Sequence, residues 1–391
     1  MDFDLTDEQA MARSLVRDLA AEEIAPLAAR IDAESWFPGE VIRMLGRVGL
    51  FGILLPPAYG GTGGDRIDLT IAIEEIAVAS ASVAWSALTS TGVAFAILAF
   101  GDEDQRSRYL PALASGSMLG SFALVEPGGG TNWPLTLRTR AVPDGDDYVI
   151  EGAKCFISNA GEAEIYAVMT RTDPEAGPAG FSILLVEKGT PGFSFGRMED
   201  KFGLRGDPTG ELVFEECRVP ARNLLGGQGG GVGIFQAFGA LDCVGHGAVC
   251  VGLARAALEA SRRYVGERTV IGEMSLAGFE NVQRAIADMA VEVEAARLIT
   301  RRAALVNEGG GLDPWAFSAA MFGNRVALDV TGKAVELHGG YGCTSDFEVG
   351  RYFRDAKTLS LQKTSEFVRS QIGKMILGVP MGPPPGSKPP G

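Results

Sequence analysis

LGSFALVE (119–126), YVIEGAKCFIS (148–158), EIYAVMTRT (164–172), GFSILLVEKG (180–189), GFSFGRM (192–198) and GELVFEECRVP (210–220) are six short runs of β-branched and aromatic residues, each bounded by turn residues. Runs of this kind at close spacing predict a small antiparallel barrel or sandwich. Outward from this unit the texture is helical on both sides. Toward the N-terminus, Thr6 and Gln9 stand at capping-box spacing, and Leu15, Val16, Leu19 and Ile24 follow at helical intervals. Alanine-rich helical stretches continue over 41–50, 69–79, 82–100 and 103–114, interrupted by the turn cluster LPPAYGGTGGD (55–65). Toward the C-terminus, GGQGGGVG (226–233) marks a break. Helices are expected after it over 232–265, 279–308, 313–338 and 359–377, the last preceded by a polar, glycine-containing bend. The tail GPPPGSKPPG (382–391) cannot pack and is expected to be disordered. The fold class is therefore α+β: an N-terminal helical domain (1–118), a central antiparallel β domain (119–225), a C-terminal helical bundle (226–380) and a disordered tail (381–391).

Composition narrows the function. The chain has 391 residues, 46% of them apolar and 21% charged, which suits a globular protein with more core than one small domain holds. Its 35 Lys and Arg against 49 Asp and Glu give a net charge of −14, which repels phosphate backbones and anionic lipid surfaces. The five cysteines are scattered and odd in number, and there are two histidines, His246 and His338. A disulfide framework and a Cys/His zinc site are both disfavoured, and no metal is expected. The acidic start MDFDLTDEQ lacks the basic-then-apolar pattern of a signal peptide, and no apolar run is expected to approach the roughly 20 residues of a membrane span. A cytoplasmic protein with no nucleic-acid or membrane partner is expected.

Single motifs say little. GGQGGGVG suggests a dinucleotide loop, but no strand runs into it and no βαβ unit surrounds it, so an interdomain hinge is the better reading. His246, set among Gly and Val, reads as a packed or hydrogen-bonded histidine before it reads as a catalytic one. The one G-x-S-x-G match, GFSFG (192–196), lies inside a β-type run rather than at a strand-to-helix elbow, and there is no Walker loop or H-E-x-x-H.

A longer series of phrases is more specific. LPPAYGG, YLPALASG, FALVEPGGGTN, GAKCFISNA, KFGLRGDPTGELVFEECRVPARNLLG, ADMAVEVEAARL, LHGGYGCTSDFEVGRYFRDAK and TSEFVR, in this order, resemble the acyl-CoA dehydrogenases over most of the chain. The resemblance implies an N-terminal helical domain, a central β domain and a C-terminal four-helix bundle that assembles tetramers, with FAD held between the β domain and the bundle. FALVEPGGGT is similar to the family's T-E-P-x-A-G-S segment along the flavin edge, so Phe122, Leu124, Val125, Gly130 and Thr131 are expected at the cofactor. Val125 replaces the usual threonine, and Thr131, in place of serine, is expected to reach the substrate's CoA arm as well. Phe156, Ile157 and Ser158 match the family's Trp-Ile-Thr, where the ring lies against the isoalloxazine and the hydroxyl approaches N5. Arg268 is similar to the arginine that reaches a neighbouring subunit's FAD pyrophosphate. Glu280 and Glu336 stand where glutamines are usual, ahead of Gly339 and Gly340, and Thr364 and Glu366 complete the cofactor set.

The family's usual base is the glutamate of Y-E-G-T-S-E, which removes the substrate's α-proton as hydride leaves the β-carbon. Here the phrase is LQKTSE, with Gln362 at the glutamate's place and Lys363 at the glycine's. An amide has no basic oxygen. Some members carry the base ten residues before the glycine of a G-x-A phrase; counting back from Gly252 gives Asp242, with Cys243 where an arginine usually follows. Asp242 is thus the candidate base, and Cys243 and Gln362 candidate substrate contacts. Local capping or hydrogen bonding is the competing account of Asp242. The resemblance implies FAD-dependent α,β-dehydrogenation of an acyl-CoA or acyl-carrier-protein thioester, with electrons passed to an electron-transfer flavoprotein, by a homotetramer or a hetero-oligomer. The alternatives are flavin monooxygenase chemistry on the same scaffold and a non-catalytic subunit of a hetero-oligomer.

Overall fold

Thr6 caps the first helix as a reciprocal box with Gln9, leaving its chain entry fixed by two local hydrogen bonds. The computed structural model describes residues 4–130, 133–306, 312–363 and 365–379, so the tail expected to be disordered lies outside the described residues. The N-terminal part consists of α1 (Asp7–Leu19), α2 (Ala28–Glu34), α3 (Gly39–Arg47), α4 (Arg66–Ala79), α5 (Ala81–Phe100) and α6 (Glu103–Ala114). Asp65, Ser80 and Asp102 accept first-turn N–H groups of α4, α5 and α6. Val16 and Leu19 pack on the core, whereas Leu15 is 66% exposed and lies off the face expected of it.

The sheet contains β1 (Gly120–Ala123), β2 (Arg140–Asp144), β3 (Asp147–Ser158), β4 (Ile165–Arg171), β5 (Phe181–Glu187), β6 (Phe193–Met198), β7 (Thr209–Pro220) and β8 (Leu224–Leu225), with the short α7 (Trp133–Thr136) between the first two. The order is β6-β7-β3-β2-β4-β5-β8, and β1 pairs with β4. Most ladders are antiparallel, as the six runs imply, but β1–β4 and the single β2–β4 pairing at Arg140 and Arg171 are parallel. The sheet is therefore mixed. Strand β2 escapes a sequence reading because it is short, contains Pro143 and buries only Ala141.

The C-terminal part runs α8 (Gly231–Glu267), the small hairpin β9 (Thr269–Ile271) and β10 (Met274–Ser275), α9 (Glu280–Val306), α10 (Pro314–His338), α11 (Val349–Gln362) and α12 (Ser365–Leu377). The single helix expected over 359–377 is two helices: α11 begins at Val349, separated by five residues from the glycine-rich turn Gly339–Cys343, and ends at Gln362, followed by Lys363, whose φ of −125° and ψ of 75° leave the helical region. That break places Gln362 and Lys363 at a helix terminus.

Helices α8 and α5 form the centre. Both have the length and apolarity of a bilayer span, with mean hydropathies of 1.5 and 1.7. This corrects the expectation that no run approaches that length; Ser, Thr and Gly dilute the apolar run without adding charge. Both are core helices, 100% and 78% of the apolar window being buried. α8 approaches α4 so closely that a Cβ on Gly252 would lie 2.3 Å from the Glu74 carbonyl oxygen. Beside this crossing, Glu74 accepts from Arg255 at 2.7 Å and from Arg297 at 3.1 Å, and Glu75 accepts from Arg17 and Arg255, both at 3.0 Å. Four elements, α1, α4, α8 and α9, meet in this network.

Candidate active site

The phrase FALVEPGGG leaves β1 at Ala123 and runs beside β3, where the Cys155 N–H donates to the Val125 carbonyl at 2.9 Å. A buried ion pair fixes it. Lys154, fully buried, donates to Glu126 Oε1 at 2.7 Å and to the Leu124 carbonyl at 3.2 Å. Glu126 also accepts the Arg138 and Thr139 N–H groups at 2.6 and 2.9 Å. Burial pulls the Lys154 ammonium down to about 8 while Glu126 opposes it. Burial pushes the Glu126 carboxyl up, but Lys154 and the N–H donors outweigh it and hold it below its ordinary value. Phe122 stacks on Phe238 of α8 with centroids 4.0 Å apart, joining β1 to the bundle. Gly128 and Gly130 have φ of 79° and 53°, a backbone that favours glycine. Thr131 lies outside the described residues.

The β3–β7 register slips between Lys154 and Ile157. Within that bulge Phe156 has φ of 55° and is 64% exposed. A left-handed aromatic in a strand is strained, and outliers of this sort concentrate at functional sites. The strain turns the ring out of the sheet while Ile157 stays in the core. Ser158 is held from two sides: its hydroxyl donates to Asp207 at 2.9 Å and accepts from Trp85 Nε1 at 3.0 Å. Asp207 is itself paired with Lys201 at 3.1 Å. The hydroxyl proton expected to face the flavin is therefore committed to Asp207, and the expected N5 contact requires it to swing away.

From Trp85 the contacts continue into the bundle. The indole meets the His246 ring edge-on at 5.6 Å. His246 Nε2 lies 2.7 Å from Asn324 Oδ1, and Asn324 Nδ2 donates to the Lys363 carbonyl at 2.9 Å. Lys363 Nζ is ion-paired with Asp242. Asp242 is 7% exposed on α8, and its partner at the end of α11 argues against simple helix capping. Burial pulls the Lys363 ammonium down, but the Asp242 charge wins and holds it above its ordinary value. Burial pushes the adjacent Cys243 thiol up to about 12 and pulls His246 down to about 4, so both are neutral near pH 7. Gln362 Oε1 is buried and meets no donor among the described residues.

The remaining expected residues form a second group. The Arg268 guanidinium lies 5.6 Å over the Tyr341 ring, beside the exposed turn of Gly339 and Gly340, where Gly339 has φ of 59°. Glu280 and Glu336 are exposed and paired with Arg284 and Lys333 of their own helices, so neither carboxylate is buried against Arg268. Glu366 is exposed and bonded to Arg369 at 2.7 Å, and Thr364 lies outside the described residues. A cavity of about 1050 Å³ lies elsewhere, among Arg13, Arg17, Glu74, Arg255, Arg297 and Arg301. It touches none of the expected site residues. Nothing in their local sequence marks Trp85, Asp207 or Asn324 as part of the site. For the Glu126–Lys154 pair the available signal is a lysine and a glutamate inside otherwise apolar strand phrases.

The sequence matches the acyl-CoA dehydrogenase N-terminal domain over residues 6–117, the middle domain over 121–217 and the C-terminal domain over 229–377. The chain belongs to the acyl-CoA dehydrogenase family. It is 41% identical over 378 residues to an acyl-CoA dehydrogenase of Bacillus subtilis, covering 96% of this chain and 99% of the relative. It is 40% identical over 388 residues to the NADH-dependent acryloyl-CoA reductase of Anaerotignum propionicum, covering 96% of each. The solved butyryl-CoA dehydrogenase of Megasphaera elsdenii superposes with a TM-score of 0.93 at 35% identity, covering 96% of this chain and 100% of that one. Family membership implies a flavin, and the exposed Phe156 ring beside the FALVEPGGG backbone fits a planar cofactor.

Proposed function

We propose that this acyl-CoA dehydrogenase homologue binds FAD and oxidises an acyl thioester, carried on CoA or a carrier protein, to its α,β-enoyl form. The observation that carries the reading is the Asp242 carboxylate, buried on α8 and linked through Lys363, Asn324, His246 and Trp85 to the Ser158 hydroxyl. FAD, when bound, would supply the acceptor for the hydride that leaves the β-carbon. Phe156 and the Leu124–Val125 backbone would hold its ring, while Arg268 and the Gly339–Gly340 turn would serve the pyrophosphate of a neighbouring subunit's cofactor in a homotetramer. Asp242 takes the α-proton, and run in reverse the protonated Asp242 returns it, so the same residues serve an enoyl reduction such as the A. propionicum relative's name describes. Gln362 lines the substrate side without taking a proton. An electron-transfer flavoprotein is the expected acceptor.

Purified protein is mixed anaerobically with acyl-CoA thioesters from propionyl to octanoyl, and flavin absorbance is followed. Bleaching by at least one of them, abolished in Asp242→Asn while flavin content is retained, supports the reading. A colourless protein that takes up no added FAD, or full bleaching in Asp242→Asn, defeats it.

A further inference from the structure

We propose that Lys363 is a positioning residue for the candidate base: it holds the Asp242 carboxylate as an anion, aimed for proton abstraction, while Asn324 and His246 fix Lys363 from behind. This rests on the reading of Asp242 as the base. Two neighbouring changes in LQKTSE go together with the relocated carboxylate. Where the family phrase has Glu-Gly, this chain has Gln362-Lys363, so one negative charge leaves and one positive charge enters. Asp242 supplies the compensating anion from α8, and the two side chains meet as an ion pair.

The geometry gives each member one role. Lys363 sits at the C-terminus of α11, where exposed helix carbonyls favour a cation. Its backbone is pinned by Asn324, whose Nδ2 donates to the Lys363 carbonyl at 2.9 Å. That bond fixes the amide's orientation, so Oδ1 is the acceptor facing His246, and His246 carries its proton on Nε2. His246 Nδ1 is then a bare acceptor without a partner among the described residues, and no second cation competes for Asp242.

The other elements around the pair add little charge. α5 carries no titratable side chain. On α8, Cys243 and His246 are neutral near pH 7. At the start of α10, Asp313 is engaged in capping, accepting N–H groups of Trp315 and Ala316 at 2.6 and 2.9 Å. On α12, Glu366 is exposed and bonded to Arg369. Among the described residues, Lys363 is the cation that meets Asp242.

In the proton step the substrate's Cα–H bond breaks, an O–H bond forms on Asp242, and the C–H electron pair moves into the Cα–Cβ bond as hydride leaves the β-carbon. Lys363 remains an ammonium throughout. The pair goes from neutral to a net charge of +1, which favours the negative charge that develops on the thioester as the proton departs. A carboxylate this buried without a partner would take up a proton in the resting protein and lose its function as a base.

The test compares wild type with Lys363→Met and Lys363→Arg in the flavin-loaded protein, using whichever acyl-CoA from propionyl to octanoyl bleaches the wild type fastest. An opposite charge in contact typically moves a carboxyl by about 1–3 pH units. The acid limb of kcat/KM is therefore expected to rise by about one unit or more in Lys363→Met and to stay in place in Lys363→Arg. A second readout needs no turnover. In Lys363→Met the buried Asp242 loses its counter-charge, so the variant is expected to lose more stability relative to wild type at pH 8 than at pH 5. Adding Asp242→Asn to Lys363→Met removes that pH dependence. Full activity in Asp242→Asn sinks the base reading and the proposal with it. An inactive Asp242→Asn beside an unmoved acid limb and wild-type pH dependence of melting in Lys363→Met overturns the proposal alone.

Discussion

Replacing Glu126 by glutamine changes one atom and tests what holds the FALVEPGGG segment in place. The wild-type carboxylate accepts from Lys154 Nζ and the Thr139 N–H on Oε1 and from the Arg138 N–H on Oε2. A glutamine amide has one oxygen and one NH2 group, so in either orientation a donor faces a donor. The fully buried Lys154 ammonium also loses its counter-charge. Breaking a buried pair from one side costs about 3–5 kcal/mol. With an unfolding entropy of about 2.1 cal/mol/K per residue, 391 residues unfolding together give about 0.8 kcal/mol/K, so the melting temperature should fall by about 4–6 °C. The deficit should be larger at pH 7 than at pH 9, because above about pH 8 Lys154 is neutral in the fold and the loss of its counter-charge no longer matters. Glu126→Gln/Lys154→Met removes the stranded cation and should recover at least half of the loss. Differential scanning fluorimetry at pH 7 and pH 9, with flavin content measured in parallel, reads all three. A single variant melting within 1 °C of wild type, or a double variant no better than the single, refutes the reasoning.

Asp355 gives the clearest pH signature. It is buried and accepts the Leu204 N–H at 2.6 Å, and burial pushes its carboxyl up to about 6. With a raised folded pKa, its contribution to stability is fully present below about pH 4 and lost as pH rises through 6. Asp355→Asn should therefore be more stable than wild type at pH 7.5, by up to about 3 kcal/mol for a shift of some two units, and should match it at pH 4; equal melting curves at both values would remove this account. Phe156→Gly relieves a left-handed backbone and removes a ring that is 64% exposed. Its melting temperature without flavin should hold or rise, by no more than about 1 kcal/mol of stability, while flavin retention after gel filtration falls. Arg268→Ala should release more flavin than Phe156→Ala, since a charged contact outweighs partial stacking; equal flavin content in the two would contradict that.

Much of the fold is legible from local chemistry. The Asp102–Gln105 box fixes the start of α6, and the α5 stretch is long, apolar and uncharged. The sheet runs of β3, β4, β5 and β7 stand out because they combine β-branched and aromatic residues between turns. What escapes reading depends on distant partners. β2 is a strand because β3 and β4 flank it, its own five residues being mostly exposed. The break at Lys363 is held by Asn324 of α10, so a continuous helical pattern over 359–377 gives no sign of it. The candidate site residues follow the same division. Phe156 and Asp242 are reachable from phrases and spacing, but the left-handed bulge depends on pairing with β7, and the Lys363 partnership depends on how α11 docks against α8.

The adjacent glutamates of α4 bear on how the protein is made. Glu74 and Glu75 leave the ribosome about 180 residues ahead of Arg255, and Glu74 more than 220 ahead of Arg297. Until those arginines arrive, the face of α4 that will meet α8 presents two carboxylates that resist being dried, and of the arginines described as pairing with them Arg17 of α1 alone has been made. The N-terminal helices thus stay hydrated along that face during synthesis. That face is fully neutralised only when α8 and α9 supply their arginines, which ties the closing of the N-terminal part to the folding of the bundle.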